Sequence, residues 1–148
     1  MLLSKTAKYA LRASLCLAEC EGRRPMPVDE IAERLDVPRN YLSKILHILA
    51  RTAILDSTRG PGGGFRLAVP AEELCLVDIV RHFDDVPDGT TCLLGRGVCS
   101  NVDPCRAHGH WTEVRGAIID FLDNTRLADM SKEEPLGVPD AVGLDETR

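Results

Sequence analysis

ILDSTRGPGGGFRLAV, residues 54–69, decides the fold. Ile54-Leu55-Asp56-Ser57 reads as a short strand, and Phe65-Arg66-Leu67-Ala68-Val69 alternates like a strand returning beside it. Between them, Thr58-Arg59-Gly60-Pro61-Gly62-Gly63-Gly64 supplies the turn chemistry of a hairpin tip. A glycine-rich stretch can also cradle a nucleotide phosphate. That chemistry needs Lys-Ser or Lys-Thr after the glycines and a strand-to-helix context, and neither is present. The hairpin instead offers close backbone approach at Gly60 and Gly62, flanked by Arg59 and Arg66.

The residues just before the hairpin say what it accompanies. Val28, Ile31, Ala32 and Leu35 follow the helical i, i+3, i+4, i+7 pattern, with Asp29 and Glu30 in the first turn where the helix dipole favours them. This short helix ends at Asp36-Val37, and Pro38 suits the first position of the next. Leu42, Ile45, Leu46 and Leu49 form the apolar face of that next helix, while Arg39, Asn40, Tyr41, Ser43 and Lys44 crowd its start. Two short helices joined by a tight turn make a helix-turn-helix, whose second helix reaches base edges and phosphates from the major groove. Taken alone, the pair reads equally well as an ordinary amphipathic helix with a solvated polar face. The hairpin breaks the tie. It serves as a wing whose glycines approach the phosphate backbone and whose Arg59 enters a narrow minor groove.

Charge agrees. Residues 1–66 carry 11 Lys+Arg against 7 Asp+Glu, and residues 67–148 carry 7 against 16, within a chain of net charge −5. A basic half in an acidic protein fits one face that meets a polyanion. Upstream, Ser4 is an N-cap and Gly22 a stop for a first helix that is apolar on two faces. One stripe runs through Ala7, Ala10, Leu11, Ser14, Leu17 and Ala18, the other through Tyr9, Ala13, Cys16 and Cys20, so the helix is packed on two sides. Cys16 and Cys20 lie four apart. They either share a ligand or pack as small hydrophobes. Residues 1–70 are thus a winged helix-turn-helix, and the fold class is mainly α with a small β-hairpin wing.

Residues 71–91 form a connection carrying a short helix, Leu76–Phe83, with Cys75 packed before it. Then comes CLLGRGVCSNVDPCRAH, residues 92–108, which holds Cys92, Cys99, Cys105 and His108 among turn formers and no apolar period. Asp103-Pro104 caps and opens the longest helix, over 104–128, with Trp111, Val114, Ile118, Phe121, Leu122 and Thr125 along one side as a dimerisation face. Cys105 and His108 then stand at i and i+3 in its first turns and face the same way. Residues 129–148 carry 6 acidic groups against 2 basic and read as a disordered acidic tail.

Three thiols and an imidazole suit zinc or an iron–sulfur cluster. Structural zinc sites usually draw on close C-x2–4-C pairs, absent here; the wider, glycine-bearing spacing fits a larger cluster. His110 is the substitute for His108, and His47 and His82 read as surface or packing residues. Six cysteines point to metal or redox chemistry rather than a disulfide framework, because Lys5, Lys8 and Arg12 interrupt any secretory core at the N-terminus. With no apolar run of about 18 residues, no membrane partner is expected, and the protein reads as cytoplasmic. No acid/base or nucleophile constellation marks an enzyme.

The stretches SKTAKYALRASLCLA, VPRNYLSKILHILA and STRGPGGGFRL, together with the three-cysteine loop, resemble the Rrf family of winged-helix regulators over nearly all of residues 1–130. The resemblance implies a homodimeric transcription factor that binds a partly palindromic operator in double-stranded DNA. It also implies a cluster whose state, set by nitric oxide, redox conditions or iron supply, tunes operator affinity. Cys92, Cys99 and Cys105 match the family's cysteine ligands, and Arg59 its minor-groove arginine. His108, followed by Trp111, resembles the fourth ligand of the IscR-like branch, which goes with a 2Fe–2S cluster. FLDNTRLADM looks more like the NsrR-like branch, where Lys8 stands at the position of an acidic ligand, and a 4Fe–4S cluster stays open. A zinc- or thiol-based winged-helix regulator without a cluster is the alternative.

Overall fold

Helix α1 (Lys5–Glu19) is the element on which the others assemble, since α2, α3, α4, α6 and the second wing strand all pack against it. The computed structural model describes residues 3–20, 24–86 and 89–131; the expected stop at Gly22 lies outside them. Ser4 caps α1, its side chain accepting from the Ala7 N–H at 3.1 Å. Both stripes are covered: Ala7, Ala10, Ala13, Ser14, Leu15, Cys16 and Leu17 are buried. Alanine and serine at the contacts let neighbouring helices approach closely, and the Ser14 hydroxyl donates to the Ala10 carbonyl at 2.9 Å, so no polar atom is stranded there.

Helix α2 (Val28–Leu35) ends where Asp36 turns left-handed at φ 51° and the Val37 N–H reaches back to the Ala32 carbonyl at 3.0 Å. Helix α3 (Arg39–Arg51) follows, with Leu42, Ile45, Leu46 and Leu49 buried as their spacing requires. Pro38 sits at the N-cap rather than inside the first turn.

The wing pairs β1 (Leu55–Thr58) with β2 (Gly64–Leu67), antiparallel, with Leu55 opposite Leu67 and Asp56 opposite Arg66. Against the alternation in the sequence, β1 is shifted one residue later, and β2 starts one residue earlier and ends two earlier. A partner out of sequence reach joins the wing: Met26 and Phe65 exchange two backbone hydrogen bonds, each 2.8 Å, which extend the hairpin onto the α1–α2 connection. At the tip, Gly63 N–H donates to the Gly60 carbonyl at 2.9 Å with Pro61 and Gly62 (φ +75°) between, a type II turn.

Helix α4 (Leu76–Val80) is shorter than the apolar run to Phe83, because the chain tightens into a turn in which Phe83 N–H bonds the Val80 carbonyl at 2.9 Å. The long C-terminal helix is α5 (His108–Asn124), not 104–128. No glycine or proline stops it. It ends because Thr125 becomes extended and gives its carbonyl to the Leu76 N–H at 3.0 Å. Helix α6 (Leu127–Ser131) then returns to the core, burying Leu127 and Ala128, with Leu127 N–H on the Leu74 carbonyl at 2.8 Å. Residues 129–131, expected to open the disordered tail, are therefore helical, and 132–148 lie outside the described residues.

Gly64 tests the wing's anchorage. A Cβ there would stand 2.3 Å from the Met26 carbonyl, at a φ of +152°. Gly64→Ala should destabilise the fold by about 2 kcal/mol or more, read as a lower urea midpoint at unchanged slope.

Candidate functional site

Two surfaces carry the residues singled out from the sequence. The first is the outward face of α3 with the wing. Asn40 and Lys44 are exposed there and Ser43 is half-buried. The helical period extends this face to His47, Ile48 and Arg51, which line a surface depression of about 430 Å3 together with Ser43 and Lys44. Sequence reading left His47 as surface or packing and passed over Ile48 and Arg51, although positions 40, 44, 47 and 51 fall on one helical side. The His47 ring meets Phe65 edge-on, centroids 5.5 Å apart, and so ties the helix to the wing.

Other candidates have protein partners. Tyr41 braces α3 against α1, its ring edge-on to Tyr9 at 5.7 Å and its hydroxyl bonded to Thr6. Arg39 pairs with Asp29 of α2, and Arg66 with its cross-strand partner Asp56 at 3.5 Å. These pairs are exposed, so they orient the guanidinium groups and contribute little stability. Arg59 and Gly60 sit exposed beside the wing turn, and Arg59 enters no ion pair among the described residues.

The second surface is the loop before α5. Cys92, Cys99, Cys105 and His108 line one cavity of about 270 Å3, with Arg96, Val98, Ser100 and Asp103 completing its wall. The loop is shaped by backbone contacts: Thr91 bridges Val98, Cys99 N–H donates to the Thr90 carbonyl at 2.6 Å, and Gly95 and Gly97 take positive φ in the turn between. Cys105 precedes α5 instead of standing in its first turn. Its carbonyl accepts from His108 N–H at 3.0 Å across a tight turn, and the first α-type bond is Trp111 N–H to Ala107 at 2.8 Å.

His108 has a defined orientation. Its Nε2 lies 2.7 Å from the Asn101 side-chain oxygen, which only accepts. In the neutral ring Nε2 then carries the proton, and Nδ1 turns its lone pair toward the Cys99 sulfur, 3.1 Å away. The Cys92 thiol is held below its ordinary pKa by the backbone N–H groups of Arg96 and Leu94, with burial opposing and the Cys105 side chain and the Arg96 charge adding. Asn101 and Arg115 were not read from the sequence. Arg115, 5% exposed, and Trp111 Nε1 both donate to the Thr91 carbonyl at 2.8 Å and fasten the base of the loop to α5. His110 is exposed and does not line the cavity.

The donor set fits a thiolate-ligated inorganic centre: three thiols, one held toward the thiolate, and an imidazole whose Nδ1 is turned toward Cys99, all lining one cavity. Among the described residues, no three His, Cys, Asp or Glu side chains gather as a ready-made single-ion site.

The remaining thiols are elsewhere. Cys16 is buried in the core with its pKa raised by burial and its sulfur 4.0 Å from that of Met26. Cys20 receives a 3.6 Å contact from Arg34, and Cys75 is buried at the start of α4. No helix among the described residues is long and apolar enough to cross a membrane.

With this geometry in hand, the relatives are informative. Residues 3–133 match the Rrf2 family, described as iron-dependent transcriptional regulators. The HTH-type transcriptional regulator IscR of Vibrio campbellii is 32% identical over 146 residues, covering 98% of this chain and 86% of that protein. Among solved structures, T. potens IscR superposes with a TM-score of 0.70 at 26% identity, over 88% of this chain and 85% of that one. CymR, the global cysteine regulator of B. subtilis, superposes with a TM-score of 0.76 at 23% identity, over 88% and 96%. Relatives that are DNA-binding regulators agree with the absence of a catalytic constellation from the sequence.

The two thiol environments separate chemically. In metal-free protein handled without oxygen, iodoacetamide alkylation of Cys92 should have a pH midpoint below the ordinary thiol value of about 8.5, and Cys16 one above it, read by peptide mass spectrometry. The sign carries over to stability. The Cys92 contribution is present above the unfolded thiol's pKa and fades as pH falls through the lowered folded value.

Proposed function

The chain belongs to the Rrf2 family of transcriptional regulators, and on that footing we propose that it is a cytoplasmic homodimer whose operator affinity is set by an iron–sulfur centre held at Cys92, Cys99, Cys105 and His108. The observation that carries this reading is the meeting of those four side chains on one cavity wall at the start of α5. As fourth ligand, His108, with Nδ1 toward Cys99 and Nε2 near Asn101, favours a 2Fe–2S centre by the resemblance to the IscR-like branch; without it as a ligand a 4Fe–4S centre is the alternative. Such a centre supplies one-electron redox chemistry and a point of attack for nitric oxide or oxygen.

The chain's own residues supply the rest. Arg39, Asn40, Ser43 and Lys44 at the start of α3 face the major groove, and Arg59, Gly60, Gly62 and Arg66 bring the wing to the backbone and minor groove. Tyr41, exposed at the same helix start and braced on Thr6 and Tyr9 of α1, joins them. Val114 and Phe121, 53% and 55% exposed on α5, offer an apolar stripe to the same helix of a second copy. Two such subunits present two recognition helices to the halves of a partly palindromic site. When the loop reorganises, Trp111 and Arg115 pass the change from the Thr91 carbonyl to α5, and so to the spacing of the two recognition helices.

A thiol-based or zinc-stabilised switch is the second reading. It draws on the lowered Cys92 pKa and the neighbouring Cys105, a pair suited to reversible disulfide chemistry.

Protein purified without oxygen should be coloured and contain iron and sulfide, and Cys99→Ala should remove both and change operator affinity. Colourless, iron-free protein with unchanged affinity after Cys99→Ala would reject the cluster reading, and zinc in the metal analysis would turn it toward the second. Separately, Arg59→Ala should weaken DNA binding and lower the slope of log affinity against log salt by about 1, in a titration from 50 to 200 mM salt.

A further inference from the structure

The outward face of α3 carries one side chain that the reading above leaves unused. His47 is exposed, lies one turn beyond Ser43 and Lys44, and lines the same depression as Arg51. Its Nδ1 stands 2.6 Å from the Ser43 carbonyl oxygen. A carbonyl oxygen only accepts, so Nδ1 carries the proton. The competing arrangement, with the Ser43 hydroxyl donating to Nδ1, spans 3.5 Å, the outer limit of a hydrogen bond. In the neutral ring, Nε2 is then a bare acceptor, with no protein partner among the described residues.

The ring is also fixed in direction. Phe65 meets it at an interplanar angle of 79°, and Phe65 is held by its two 2.8 Å backbone bonds to Met26. Lys44 and Arg51 beside it can only donate. They suit phosphates and the O6 and N7 acceptors of guanine. A fixed acceptor among them has the opposite preference. It pairs with the exocyclic amine of adenine or cytosine and repels the O6 of guanine and the O4 of thymine at the same place in the groove.

We propose that His47 is a base-reading residue that selects adenine or cytosine, through an Nε2 acceptor, at one position of each half-site. This rests on the placement of α3 in the major groove given under Proposed function.

The test is selection of bound duplexes from a random pool at alkaline pH, with full-length protein kept without oxygen. Wild type, His47→Gln and His47→Leu are compared, and each variant is first checked for an unchanged thermal midpoint. Wild type should enrich adenine or cytosine in one column per half-site, by roughly five- to tenfold over guanine or thymine. His47→Leu, which keeps an apolar contact for Phe65, should flatten that column and leave the others. His47→Gln should narrow it to adenine, which a carboxamide pairs bidentately. An unchanged column in His47→Leu, or a uniform fall of all columns, overturns the proposal and leaves DNA binding standing. A wild type that enriches no sequence rejects the DNA reading itself, and this inference with it.

Discussion

Burial of α1 on both faces is the constraint from which the rest of the structure follows. It receives α2, α3 and the wing strand as well as α4 and α6, so the DNA-reading half and the C-terminal half share a single helix. Ala7, Ala10 and Ala13 are fully enclosed and leave no room for larger side chains. The Ser4 backbone N–H donates to Asp84 at 2.7 Å, which ties the start of α1 to the end of the α4 segment. A displacement on one side of α1 is therefore felt on the other, because a packed interior transmits strain rather than absorbing it.

The C-terminal half uses a second device, backbone bonds between segments far apart in sequence. Leu76, Leu127 and Ala128 N–H groups bond to Thr125, Leu74 and Ala71 carbonyls at 3.0, 2.8 and 3.1 Å. They end α5, reverse the chain into α6 and press both against the segment around α4. Leu122 fills the contact at 3% exposure, while Val114 and Phe121 remain outside. One helix thus presents a core side and an uncovered apolar side.

What could be read from the sequence follows the range of the interactions. The helix pair, the hairpin and the cap at Ser4 were legible because periodicity, turn glycines and capping are local. The end of α5 and the pairing of the wing with Met26 were not, since Thr125 meets Leu76 and Met26 meets Phe65 through contacts no short window contains. The gathering of Cys92, Cys99, Cys105 and His108 on one wall was legible from their density in a loop without apolar period. Their positioning was less so: Cys105 falls before α5, and Asn101 and Arg115, which orient His108 and hold the loop base, carry no motif. Tyr41 adds what no motif carries: at the start of the recognition helix it is exposed, and its ring and hydroxyl also brace α3 against Tyr9 and Thr6 of α1.

The loop and the scaffold differ most in how they are stabilised. Along 92–104 only Cys92 is buried, and Leu93, Leu94, Val98 and Val102 are 55%, 61%, 71% and 94% exposed. Hydrophobic burial therefore contributes little to its shape, which rests on a few backbone bonds and the Thr91 carbonyl. Segments of this kind belong to the low-stability end of a protein. Any group bound there contributes stability by mass action, roughly 2.7 kcal/mol at a hundredfold excess over its dissociation constant. That is large against the loop's own contacts and small against the burial around α1. Occupancy can thus order or release the loop while the winged half stays folded. Arg115 decides whether the change is felt beyond the loop. Its guanidinium is buried within α5 and bonded to the loop's base, so it cannot follow a departing loop into solvent without disturbing the helix that carries it.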